Sequence, residues 1–282
     1  METVDNVSVH PFHDDTITNV KPEKGIMIQH ILEKGRRHFG RPGASLTQLD
    51  DPQFKGKLPE GWKHEVVDIA LGGEEETSSM IKSWMKDKPN AVLFDSVHIK
   101  GSGKEEVDPE TGLIEEGDTD HILLVGNHIL VIDSKKWKGG KDEEHAVNYI
   151  QNDKGEVQRF GKTFPGGKVH IGAALKMWFR YLQTNNDESK VLMGMIHIVN
   201  DYTKVLRYKN WYEVRNKKYW YLCEKSRFIE LLDEWYDKQV SEPEKHFISS
   251  DLAAQIAVCC CRPYDRRAHL INMKPLERYK TV

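Results

Sequence analysis

Asp120, Asp133 and Lys135 stand at the outer ends of two apolar runs in GDTDHILLVGNHILVIDSKKWKGG (117–140). Between the runs, Gly126-Asn127 tolerates the positive φ that a two-residue hairpin turn needs. A turn centred there pairs 125 with 128 and so on outward, which sets Asp120 directly opposite Asp133. Cβ atoms of directly opposed residues lie about 5 Å apart, so the two carboxylates repel and contribute nothing to packing. A divalent cation between them would turn that repulsion into ligation. Lys135, two residues past Asp133, shares its face. Ser134 points away, but its backbone carbonyl remains available to a metal. The competing account is a hairpin whose charged ends simply reach solvent.

The elements that must position these groups are legible from the apolar pattern. Ile122, Leu124, Ile129 and Val131 share the aspartates' face, and Leu123, Val125, Leu130 and Ile132 line the other. Apolar residues on both faces predict a strand pair at the centre of a covered sheet. NAVLFDSVHI (90–99) and VLMGMIHIVN (191–200) read as further strands. EEETSSMIKSWMKD (74–87) reads as a helix, with acidic residues in its first turn and Met80, Ile81, Trp84 and Met85 as its stripe. HIGAALKMWFRYL (170–182) reads as a second helix. The order helix, strand, hairpin, helix, strand predicts an α/β domain. Two more hairpins are expected, a more exposed one over 148–160 and one over 210–222 turning near Asn216. Helices are expected within 22–40, 224–239 and 251–260, and a loop over 41–59.

This order and these residues resemble the PD-(D/E)XK nuclease superfamily, and within it the nuclease-related (NERD) domain. Gly117-Asp118-Thr119-Asp120-His121 is similar to that family's acidic-Asp-His strand. Val131-Ile132-Asp133-Ser134-Lys135-Lys136-Trp137-Lys138-Gly139 is similar to its V-I-(D/E)-X-K-X-W-X-G, and Gly73-Glu74 to a Gly-Glu pair that opens a helix. The resemblance covers about residues 70–200. It implies a PD-(D/E)XK-like core, a central mixed sheet with a metal-site hairpin flanked by helices. It implies Asp120 and Asp133 as metal ligands, with Ser134 lending its carbonyl and Glu74 completing or tuning the site. Glu75 and Glu76 compete with Glu74 for that place. Lys135 would position or activate the attacking water. Where many relatives have a glutamine, this chain reads Val169-His170-Ile171-Gly172, so His170 fills the place or the contact is absent. The implied organisation is an N-terminal segment (1–69), a nuclease-like core (70–200) and a C-terminal hairpin and helices extending the core (201–282).

Phosphodiester hydrolysis needs neutralised phosphate charge, an activated water and a stabilised leaving alkoxide, all within reach of hard cations on carboxylates. The expected enzyme is therefore a divalent-metal-dependent nuclease, with DNA as the favoured substrate. An all-oxygen donor set suits Mg2+ or Mn2+ better than zinc. The alternative is a nucleic-acid-binding or assembly module that keeps the fold without turnover. His98, His121 and His197 read as structural histidines. The formal net charge of −3 means that a polyanion must be held by local basic groups. Lys138, Arg215, Lys217 and Lys218 are the candidates. In 207–221 the bases interleave with aromatics, although a hairpin with its aromatic face on the core accounts for the same pattern. Of the four cysteines, Cys259, Cys260 and Cys261 follow an apolar stretch and read as a buried helix end. No CxxC pair exists to suggest zinc. No apolar run approaches a membrane span, and METVDNVSVHPFHDD lacks the order of a signal peptide. A cytoplasmic protein is expected.

Overall fold

The computed structural model describes residues 22–44, 46, 64–98, 119–151, 157–162, 164, 171, 174–175, 178, 182, 190–207, 212–214 and 218–260. Helix α1 (Pro22–Glu33) precedes the short strand β1 (His38–Phe39). Helix α2 (His64–Trp84) leads into β2 (Ala91–Val97), β3 (Thr119–Val125) and β4 (His128–Lys135). Next come β5 (Val147–Gln151), β6 (Val157–Arg159), β7 (Lys190–Ile198), β8 (Thr203–Arg207), β9 (Tyr212–Val214) and β10 (Lys218–Glu224). The described chain closes with α3 (Phe228–Lys238) and α4 (Ser250–Ala257).

A seven-stranded mixed sheet of order β1-β2-β3-β4-β7-β10-β9 forms the centre, with β4 in the middle position. β3 and β4 are antiparallel, whereas β4 pairs with β7, and β7 with β10, in parallel. Helices cover both faces, as the two-sided apolar pattern requires. Ile122, Leu124, Ile129 and Val131 pack with Ile28 and Leu32 of α1, Trp178, and Leu252 and Ile256 of α4. Leu123, Val125, Leu130 and Ile132 pack with Ile81 and Trp84 of α2 and Leu231, Leu232 and Trp235 of α3. Residues 171, 174, 175, 178 and 182 are helical, and Ile171, Leu175, Trp178 and Leu182 are buried along one face of that segment. No described helix is long and apolar enough to cross a membrane.

The turn between β3 and β4 falls on Gly126-Asn127, with Val125 paired to His128. Gly126 has a φ of 55°, and a Cβ there would overlap the Glu244 side chain. Glu244 in turn accepts the Asn127 amide at 2.8 Å. The hairpin of 210–222 is β9 and β10, whose Trp220 and Tyr221 bury on opposite faces of the sheet.

The start of the helix before β2 needs correction. Helix α2 begins at His64, so Gly73 and Glu74 lie inside it and the acidic run is not its first turn. Paired glycines read as a helix opening because each costs about 1 kcal/mol in a helix interior. Here they admit a close neighbour instead, since a Cβ on Gly73 would stand 3.2 Å from the Lys136 Cβ. The hairpin over 148–160 is more exposed than the β3–β4 one, as expected, with buried and half-buried residues alternating along β5. β5 and β6 join β8 in a separate three-stranded sheet, and Tyr149 packs its ring on Trp137 and Phe164. The division expected at 69/70 falls within α2. β1, β9 and β10, from outside 70–200, belong to the same sheet as β2 to β4 and β7.

Candidate metal centre

The register of the hairpin holds from Val125↔His128 to His121↔Ile132, so Asp120 and Asp133 occupy the next opposed positions. There the ladder gives way to a side chain: the Ser134 amide donates to Asp120 Oδ2 at 2.6 Å. On the other side of β3, pairing with β2 passes from Asp95↔His121 to Val97↔Thr119 and skips Ser96. Ser96, facing Asp120, has a φ of 47°. A left-handed conformation costs a non-glycine residue about 1–2 kcal/mol, and such strain concentrates at functional sites. The Ser96 hydroxyl accepts the Ala44 amide at 2.9 Å, which helps to hold the kink. Just before Asp120, Thr119 is fixed by Trp178 Nε1, which donates to its hydroxyl at 2.9 Å.

Lys135 Nζ donates to Asp133 Oδ1 at 2.6 Å, with both side chains partly exposed. Burial alone would lower the Lys135 pKa, but Asp133, Asp120 and Glu74 together raise it above the ordinary lysine value. These three carboxylates were expected as the metal site, with Lys135 placed to act on the attacking water. Glu74 is buried, and its Oε2 accepts the Gly43 amide at 2.8 Å. Among the expected competitors, Glu75 is exposed, and Glu76 pairs with Lys225 at 2.6 Å and Lys136 at 3.9 Å. One carboxylate, Asp133 of β4, is thus bonded to Lys135, and those of Asp120 on β3 and Glu74 on α2 lie near enough to act on its charge. Among the described residues, no three His, Cys, Asp or Glu side chains form a group that could hold a metal ion as they stand.

The basic candidates divide. Lys138 is exposed, three residues past Lys135, and its carbonyl accepts the Tyr149 hydroxyl at 2.9 Å. Lys218 opens β10 at the other end of the sheet. Tyr219 is level with Met193 and hence with Leu130 of β4, whereas Glu224 is level with Ile198 and Lys135. At 3.3 Å per residue, about 20 Å of strand separates Lys218 from the level of Lys135. Lys218 is therefore not brought to the site, and the reason is the parallel pairing of β10 with β7. Arg215, Lys217, His170 and Asp118 lie outside the described residues.

A buried polar group behind the site was read only as isolated structural histidines. Asp95 accepts from His121 Nδ1 and His38 Nε2, each at 2.7 Å, and from the Ser78 hydroxyl at 2.6 Å. Burial would raise the Asp95 pKa, yet its bonds to His121 and His38 hold it well below the usual carboxylate range. His121 Nε2 lies 2.9 Å from Ser134 Oγ, which lies 2.8 Å from Thr77 Oγ1. Thr77 Oγ1 meets His197 Nδ1 at 2.9 Å. Burial, with His121 and Lys225 nearby, pushes the His197 pKa down to about 3. Three charged or polar residues inside apolar strands, Asp95 and Ser96 in β2 and His197 in β7, were the available signal.

No protein-family model matches this chain, no curated protein is significantly similar to it, and no solved structure matches it.

Proposed function

We propose that the protein is a divalent-metal-dependent nuclease that hydrolyses phosphodiester bonds, with DNA as its favoured substrate, on a PD-(D/E)XK-like core of the nuclease-related (NERD) type. The geometry at the outer end of the hairpin carries the reading: Asp120 is bonded to the Ser134 amide and the opposed Asp133 to Lys135, each at 2.6 Å, with Glu74 near enough to act on the same lysine. The order α2, β2, the β3–β4 hairpin, a helical segment and β7 supports it.

The donor chemistry fits Mg2+ or Mn2+. Three carboxylates against one ammonium leave an excess of negative charge for a divalent ion to neutralise. Mg2+ commonly binds through one or two carboxylates and keeps several waters, so a cluster of three is not needed. Asp120 and Asp133 would hold the ion. The N–H and C=O of one residue in a hydrogen-bonded antiparallel pair face the same neighbour. The Ser134 carbonyl therefore faces the β3 side, where its amide already meets Asp120. When bound, the ion supplies Lewis-acid stabilisation of phosphate charge and lowers the pKa of bound water.

Of the two roles open to Lys135, its bond to Asp133 fits the one in which it stays an ammonium donor. A lysine that keeps its proton at neutral pH does not act as a base. It orients the water by donating hydrogen bonds and offsets charge that develops on the phosphate. Glu74, bound to the Gly43 amide, tunes that lysine from α2.

The Lys135–Asp133 contact favours one competing reading, a binding module without turnover, because it places a cation on a ligand oxygen. Supercoiled plasmid incubated with Mn2+ separates the two. Nicked or linear product that disappears with EDTA and with Asp133→Ala is expected. Intact plasmid with a retarded mobility of the complex would leave only the binding module.

A further inference from the structure

The hydrogen bonds Asp95–His121–Ser134 follow the order of a serine nucleophile with its base and orienting carboxylate. This serine is not placed to attack anything. The side chains of Asp95 and His121 are fully buried, Ser134 is buried, and its hydroxyl is also tied to Thr77. The arrangement instead alternates with the metal-site residues. β3 carries Asp120 and then His121, and β4 carries Asp133, Ser134 and Lys135, so one set points to each side of the sheet. On α2, Glu74 and Thr77 are three apart and share a helix face. Ser134 Oγ touches Thr77 of α2 and His121 of β3, and thereby joins the three elements that bear the site.

We infer that His121, Ser134 and Thr77, anchored by Asp95, form a positioning unit that sets the spacing of Asp120, Asp133 and Glu74 for the ion. Asp95 is an acceptor only, so it fixes the proton on His121 Nδ1 and turns Nε2 toward Ser134. Thr77 passes the constraint to α2: its hydroxyl accepts from Ser134 and donates to the Gly73 carbonyl at 3.1 Å, one residue before Glu74. The inference rests on the metal-site reading above. Outer groups that orient metal ligands affect metal affinity by 10- to 100-fold in general.

Calorimetric titration of the metal-free protein with Mn2+ tests it. Ser134→Ala and Thr77→Val should each weaken Mn2+ binding about 10- to 100-fold with an unchanged circular dichroism spectrum. Thr77→Ser, which keeps the hydroxyl, should bind as wild type does. Folded Ser134→Ala and Thr77→Val that both retain wild-type affinity would overturn the positioning unit and leave the metal site standing. Wild type that binds Mn2+ no better than Asp133→Ala would overturn the metal site and the inference with it. A readout without metal or variants is the His121 Nδ1–H resonance in 15N-histidine-labelled protein. It should appear at low field, protected from exchange, and its absence would overturn the unit. Labelling of Ser134 by a fluorophosphonate would do the same, by making it a nucleophile.

Discussion

The Ser134 amide and Asp120 Oδ2 are 2.6 Å apart, so one of the two opposed aspartates is bonded to the strand that carries the other. Asp133 is meanwhile held by Lys135. The repulsion inherent in the opposed pair is thus relieved at both ends before any ion arrives. This relief is unequal, since a backbone amide cannot be mutated away, whereas the lysine can.

The first prediction follows from that inequality. Lys135→Met leaves Asp133, Asp120 and Glu74 without their shared cation, whereas Asp133→Asn leaves Lys135 two carboxylates. Both variants should lose plasmid cleavage. In EDTA at neutral pH, Lys135→Met should also lose about 1 kcal/mol of stability, a modest figure because the pair is partly exposed. Asp133→Asn should lose less. Urea melts that rank the two the other way would show that Lys135 is not the hub of the cluster.

The second concerns acid. An unfolded histidine titrates near 6.5, but buried His197 takes up no proton until about 3. Between those values only the unfolded chain gains the proton, so stability falls as pH drops, by up to about 1.4 kcal/mol per pH unit. His197→Asn, which keeps a polar atom for Thr77, should flatten the decline between about pH 4.5 and 6.5. Asp95 acts in a lower window. Its contribution is intact above the ordinary carboxylate value of about 4 and is lost as pH falls through its depressed folded pKa, so a loss below that point should survive in the variant. A slope unchanged by His197→Asn would mean that His197 is not buried neutral.

The third concerns the hairpin turn. Gly126→Ala places a Cβ against Glu244 at a left-handed φ and should cost roughly 1–2 kcal/mol from the backbone alone. Trimming Glu244 to Ala in the same chain should recover only a small part, because the Glu244 backbone oxygen and Cβ, 2.7 and 2.8 Å from the added atom, remain. A melting temperature for Gly126→Ala equal to wild type would contradict the two-residue turn.

The fourth separates the basic residues. Lys138 lies just past the site strand, whereas Lys218 lies level with its far end. Lys138→Ala should reduce the log K against log salt slope for binding an uncleaved DNA, with Ca2+ in place of Mg2+, by roughly 0.7 to 0.9. Lys218→Ala should leave it unchanged. The reverse result would move the nucleic acid to the opposite end of the sheet.

The site was legible where its signals are local. Gly126-Asn127 sets the register, the two-sided apolar runs set burial, and spacing by two puts Lys135 beside Asp133. What stayed hidden depends on long-range pairing. His38 and Asp95 meet only because β1 lies parallel to β2, and nothing in HFG announces a two-residue strand. Thr77 and Ser78 read as ordinary polar residues of a helix, because their partners Ser134 and Asp95 lie on other elements. The start of α2 was missed because Gly72 and Gly73 count against helix locally, while their benefit, room for Lys136, comes from β4's continuation. Lys218 was grouped with the site because composition carries no information about which end of a sheet a strand begins.

Synthesis of the chain meets the strand order in a particular sequence. β3 and β4 can close on each other in microseconds once both have left the ribosome. The free edge of β4, however, waits for β7, whose last three paired residues, Ile196, His197 and Ile198, sit level with Asp133, Ser134 and Lys135. At about 5–20 residues per second, the interval from Lys135 to Ile198 is roughly 3 to 13 seconds. For that time a nascent chain exposes an unpaired, apolar strand edge to whatever it can pair with. The two ends of the site strand also mature at different times: the hairpin registers early, while the segment with Asp133 and Lys135 gains its second neighbour only when the last residues of β7 emerge. Whatever the finished site acts on, a polypeptide still on the ribosome short of Ile198 carries these residues without the lattice that aims them.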